Sequence, residues 1–178
     1  TPIVMFDRVA DGINCDKVVV DDFDSAYDAT THLIKLGSKK IALLSTIHNL
    51  SVGKLRLEGY QKALTDANMP IDEELIILET AIEDFDVRLQ KLISSKKMDA
   101  VFALDEHSST MTMRMALKQG IKIPEELNII GFADGVWSRR LTPSLSTVSQ
   151  HAPEIGAKAA ELLIHKLNSK DEFYQSQT

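Results

Sequence analysis

The stretch Lys40-Ile41-Ala42-Leu43-Leu44 carries four apolar residues in succession with no polar alternation. A run that short is a strand rather than a helix, and a strand without alternation is buried on both faces, as in a parallel sheet covered by helices. The flanks agree. Upstream, from Asp24 to Leu36, Ala26, Ala29, Leu33 and Leu36 recur at helical spacing, and Gly37 follows as the left-handed residue that ends a helix. Downstream, Lys54 to Asn68 sets Tyr60, Ala63, Leu64 and Ala67 on one helical face. Helix, buried strand, helix defines an α/β chain.

The same unit repeats to either side. Strand Leu75–Leu78 leads to a helix from Asp84 to Ser95 that buries Phe85, Leu89, Leu92 and Ile93. Strand Ala100–Leu104 leads to a helix from Ser108 to Gln119, closed by Gly120 with Pro124 beyond it. Asn128–Phe132 and Leu145–Val148 complete five strands whose alternation with helices predicts a parallel sheet. Outside them stand strands Pro2–Phe6 and Lys17–Val20, joined by the turn Ala10–Asn14, and a helix from Glu154 to Leu167 striped by Ile155, Ala159, Leu162 and Leu163. These outer elements read as part of a second layer system. The polar tail Ser169–Thr178 is expected to fray.

Composition narrows the function. With 44% hydrophobic and 26% charged residues among 178, the chain has the make-up of a soluble globular domain. No apolar run is long enough to cross a bilayer, so no membrane role is expected. The opening Thr1-Pro2-Ile3-Val4-Met5-Phe6 lacks the basic flank and long apolar core of a signal peptide, and the missing initiating Met implies a natural N-terminus upstream. A lone Cys15 excludes an internal disulfide and suits a reducing cytoplasm. The net charge of −6 repels phosphate backbones, so this segment is not expected to hold nucleic acid by itself.

Catalytic patterns are missing. His32, His48, His107, His151 and His165 are scattered without metal-ligand spacing, and neither GxSxG, a P-loop nor GxGxxG occurs. No cofactor, metal or enzyme activity is expected. The acidic pairs Asp21-Asp22 and Glu125-Glu126 read as solvated charges at element ends.

Six segments, in order along nearly the whole chain, resemble the LacI/GalR family of transcriptional regulators. Ile3-Val4-Met5-Phe6-Asp7-Arg8 is similar to its strand ending in Asp-Arg. Val18-Val19-Val20-Asp21-Asp22 leads into the helix from Ala26 to Gly37, which follows A-x-x-A-x-x-H-L-I-x-x-G, and Arg56-Leu57-Glu58-Gly59-Tyr60 follows R-x-x-G-Y after Lys40–Leu44. Ile123-Pro124-Glu125-Glu126-Leu127-Asn128-Ile129-Ile130-Gly131-Phe132 resembles I-P-E-D-L-S-I-I-G-F, and Pro143–Gln150 resembles P-x-L-T-T-V-x-Q. The resemblance implies a Rossmann-like parallel-sheet lobe of a two-lobed, periplasmic-binding-protein-like core. Residues 22–148 would form the complete C-terminal lobe. Residues 1–21 would be part of the N-terminal lobe, 149–168 its return helix and 169–178 the tail, with a helix-turn-helix domain missing upstream.

By that resemblance a small metabolite, a sugar or sugar phosphate, sits between the lobes and controls operator affinity. Operator DNA is bound through the absent N-terminal domain, and the protein is a cytoplasmic homodimer. The expected effector-binding residues are Asp7, Ser51, Arg56, Asp105 and Asp134. Arg suits multi-point recognition of hydroxyls, with a surface ion pair to Glu58 or Asp66 as its alternative. Asp105 and Ser51 can equally be helix N-caps. The family's ligand Asp after Gly-Phe is Ala133 here, with Asp134 one place later, and Trp137 is placed either to stack on a sugar or to pack in the dimer. Met111, Met113 and Met115 read as core or interface. The alternative of the same fold is a periplasmic sugar-binding protein of an uptake system, and an α/β enzyme using the same cleft is a further rival.

Overall fold

The computed structural model describes residues 1–10, 12–135 and 140–168. They divide into two compact units, one running from Asp22 to Ser149 and the other built from Thr1–Asp21 with the chain from Gln150 onward. The readings made for Trp137 and for the tail after Asn168 lie outside the described residues.

In the larger unit the order is α1 (Asp22–Lys35), β3 (Ile41–Ser45), α2 (Ser51–Asp66), β4 (Ile76–Leu78), α3 (Ile82–Ser95), β5 (Ala100–Ala103), α4 (Glu106–Lys118), β6 (Asn128–Phe132) and β7 (Ser146–Val148). The five strands are parallel, in the order β4-β3-β5-β6-β7. Along β3 and β5 the side chains split by pleat. Ala42, Leu44, Val101 and Ala103 join the core that includes α3 and α4, whereas Ile41, Leu43, Ala100 and Phe102 join the core that includes α1 and α2. The unbroken apolar runs thus serve two hydrophobic layers.

Crossover handedness explains which helix lies where. From β3 the chain moves one way to β4 through α2, then reverses past β3 to β5 through α3 and continues the same way to β6 through α4. Right-handed crossovers in opposite directions put α2 on one face and α3 and α4 on the other. The reversal leaves a topological switch point between β3 and β5, the place where open parallel sheets bind ligands at their C-terminal edge.

The smaller unit pairs β1 (Val4–Phe6) with β2 (Asp16–Val18) in parallel, packed with helix α5 (Ala152–Asn168). Asp16 is fully buried, and Lys166 Nζ on α5 reaches its Oδ2 at 3.1 Å.

Several local readings change. The second strand is Asp16–Val18 rather than Lys17–Val20. The register ends at Phe6 against Val18, and Asp7, whose N–H still donates to the Val18 carbonyl at 3.0 Å, leaves the extended conformation at φ 58°. Leu36 is 55% exposed, since α1 ends at Lys35 and the chain turns at Gly37 with φ 94°. Met113 is buried in the core, with Met111 and Met115 packed against it, so this set packs inward.

Candidate functional site

The R-x-x-G-Y segment of α2 does three jobs on one helical face. Tyr60 is buried and its hydroxyl donates to the Ile41 carbonyl at 2.8 Å, fastening α2 to the start of β3. Burial pushes the Tyr60 phenol well above its ordinary value, and Asp72 and Glu73 add to the rise. Gly59 lies at the crossing with α1, where a Cβ would stand 2.3 Å from the Phe23 carbonyl oxygen and 2.9 Å from Ala26 Cβ. Only a residue without a side chain lets α1 come that close. One turn earlier, Arg56 points to the C-terminal edge of the sheet.

Arg56 is 1% exposed. Its Nε donates to Asp22 Oδ1 at 2.7 Å and its Nη1 to the Leu104 carbonyl at 2.6 Å, and its guanidinium lies 3.7 Å from the centre of the Phe132 ring. The partner is therefore neither Glu58 nor Asp66 but a carboxylate 34 residues away. Asp22, read from sequence as a solvated charge at a strand end, is 2% exposed and opens α1. That correction has a physical reason. A buried guanidinium needs a counter-charge and further acceptors, and the close α1–α2 crossing delivers the first residue of α1 to it.

Asp105 follows β5 and bridges the switch point. Its Oδ1 accepts from Ser108 N–H at 2.8 Å, capping α4, and its Oδ2 accepts from Thr46 N–H at 2.8 Å, just past the end of β3. One carboxylate thus ties together the two strand ends that flank the reversal. Ser51 is the first residue of α2 and not its cap, since the N-cap is Leu50, which makes no side-chain cap bond. The preceding loop lies close over α2, for a Cβ on Gly53 would fall 2.1 Å from the Ile47 carbonyl oxygen. Asp134 is half-buried after β6, and Ala133 is 2% exposed. A Cβ on Gly135 would meet the Glu106 carboxylate, so that acid also stands at this edge.

The edge that carries Arg56, Asp105 and Asp134 is therefore rich in hydrogen-bonding groups, held by pairs that sequence spacing does not reveal. Sequence spacing does not single out Asp22, the buried partner of Arg56, and the similarity of Val18–Asp22 to the family's crossover is the signal that could. On the smaller unit, Asp7 lines a cavity of about 200 Å³ with Phe6, Gln150, Ala152 and Ile155. A 410 Å³ cavity on the larger unit lies along α1 and β7, lined by Ser25, His32, Ile130 and Thr147 among others, and contains none of the five predicted residues. The hydrogen-bonding groups of the larger unit's candidate site gather at the strand ends instead. Among the described residues no group of three or more His, Cys, Asp or Glu is arranged to hold a metal ion, and no helix is long and apolar enough to cross a membrane.

Residues 30–177 match the periplasmic binding protein-like domain family, and the chain belongs to that family. Its relatives are regulators of the LacI type, as the six motif segments imply. It is 33% identical over 158 residues to the HTH-type transcriptional regulator DegA of Bacillus subtilis, covering 88% of this chain and 47% of that relative. It is 32% identical over 179 residues to the HTH-type transcriptional repressor PurR of Haemophilus influenzae, covering 98% of this chain and 52% of that one. Among solved structures, a LacI family transcriptional regulator from Enterococcus faecium with bound ribose matches with a TM-score of 0.88 at 25% identity over 99% of this chain and 66% of that one. The transcription regulator CcpA of Lactococcus lactis matches at 0.85 and 26% identity, over 100% and 66%. The chain spans about half the length of the curated relatives it matches.

Proposed function

We propose that this chain is the effector-sensing part of a LacI/GalR-type transcriptional regulator. The carrying observation is the bridged switch point, where Asp105 joins the ends of β3 and β5 and Arg56 is held against Leu104 and Phe132. Such a place binds a small, hydroxyl-rich molecule through several fixed donors and acceptors. Arg56 forms the floor of the site, with Ser51, Asp105 and Asp134 around its rim. On the smaller unit, Asp7 is a candidate binding residue of that unit's own cavity, with Phe6 and Gln150.

A sugar is the ligand class favoured, and the ribose found in the Enterococcus faecium regulator supports it. Ligand binding would bias a conformational equilibrium that sets operator affinity in a homodimer, acting through a DNA-binding part outside this acidic segment. The names of the relatives support a cytoplasmic regulator over an uptake receptor or an enzyme.

The test is a thermal-shift screen of the purified protein against neutral pentoses and hexoses. A ligand at one hundred times its Kd adds about 2.7 kcal/mol to the native state and raises Tm. The neutral double variant Asp22→Asn/Arg56→Gln should fold and lose that response. Operator affinity of the full-length regulator, indifferent to every ligand that raises Tm, would refute the switch.

A further inference from the structure

We propose that Asp22 is a specificity-determining residue of the effector site, which cancels the charge of Arg56 and so selects an uncharged polyhydroxyl ligand over its phosphorylated counterpart. The inference rests on the reading of Arg56 as the floor of that site. Arginine at a ligand site ordinarily offers a planar cation that grips phosphate or carboxylate in bidentate fashion. Here two of the five guanidinium donors go to fixed acceptors. Its Nε donates to Asp22 Oδ1 at 2.7 Å, with both side chains 2% exposed, and its Nη1 donates to the Leu104 carbonyl at 2.6 Å. The Phe132 ring lies against the guanidinium, 3.7 Å from its carbon to the ring centroid. A buried cation with a buried anion in contact makes a neutral pair, and a dianionic phosphate gains little by approaching it.

The surroundings push the same way. Asp105 and Asp134 stand at the same edge, and Glu106 reaches Gly135 beside them. A phosphoryl group placed there gives up its hydration to face carboxylates. A neutral sugar instead meets fixed acceptors that suit its hydroxyls. Asp22 thus acts through Arg56 and holds the guanidinium in one orientation while removing its net charge.

The variant Asp22→Asn keeps the shape and one acceptor oxygen but takes the carboxylate charge away from the Arg56 guanidinium. Its Tm should fall, and inorganic phosphate at about 10 mM should restore much of the loss by replacing the missing anion, measured against chloride at equal ionic strength. Wild type and Asp22→Asn/Arg56→Gln should show no phosphate-specific rise. In calorimetric titrations with D-ribose and D-ribose 5-phosphate, the preference for the neutral sugar should shift at least roughly tenfold toward the phosphate in Asp22→Asn. A folded Asp22→Asn protein that ignores phosphate would overturn the proposal. So would a wild type stabilised specifically by phosphate or binding ribose 5-phosphate more tightly than ribose, and this arm decides the matter if Asp22→Asn does not fold. Phosphate rescue without any sugar response in wild type would instead overturn the sugar-sensing reading and leave the charge-cancelling role of Asp22 standing.

Discussion

Gly59→Ala should destabilise the larger unit, although the same change in an unencumbered helix stabilises. Replacing Gly by Ala inside a helix is worth about 1 kcal/mol in intrinsic preference. At Gly59 the new methyl would stand 2.3 Å from the Phe23 carbonyl oxygen, 2.9 Å from Ala26 Cβ and 3.0 Å from the Tyr27 nitrogen. Two of those neighbours are backbone atoms, so no side chain can swing aside. Restoring ordinary contact requires α1 to withdraw by about 1 Å, and overpacking of this kind costs about 1–3 kcal/mol. With backbone as the obstacle the upper end applies, and the net loss is about 1–2 kcal/mol, or roughly 2–8 °C in Tm.

The internal control is Gly156→Ala in the exposed part of α5, where nothing lies within 4 Å of the new Cβ. It should gain about 0.5–1 kcal/mol. Urea titration followed by circular dichroism, with calorimetry, measures both. A Gly59→Ala protein as stable as wild type would refute the close-crossing account and, with it, the delivery of Asp22 to Arg56.

Asp105→Ala removes the α4 cap and the acceptor for Thr46 N–H, and should cost about 2–3 kcal/mol by urea titration, with sugar binding lost in the same sample. Tyr60→Phe deletes the bond to the Ile41 carbonyl and should cost about 1 kcal/mol at neutral pH. The Tyr60 phenol is raised in the folded state, so its contribution is complete below the ordinary value of 10.0 and drains away as pH climbs above it, where the unfolded phenol ionises first. Stability profiles of wild type and Tyr60→Phe should therefore converge in the alkaline range, and parallel profiles would contradict the burial. Lys166→Ala removes the ammonium that reaches the buried Asp16 carboxylate and should cost about 3 kcal/mol in the smaller unit, read by amide exchange in β2; unchanged protection there would rule the pair out as a stabilising contact.

Much of the fold was legible from short-range pattern. The unbroken apolar runs of β3, β5 and β6 marked strands buried on both faces, and the helical spacing of Phe85, Leu89, Leu92 and Ile93 marked a face that does bury. Motif order along the chain indicated the family. Periodicity records which face of an element is apolar, because side-chain direction repeats every 2 or 3.6 residues. It says nothing about which element lies beside which. Strand order β4-β3-β5 made the switch point, and with it the bridge from Asp105 to Thr46 across 59 residues. The close crossing at Gly59 turned Asp22 from an apparent surface charge into the buried partner of Arg56. Those pairings depend on where distant segments meet in space, and only the folded chain decides that.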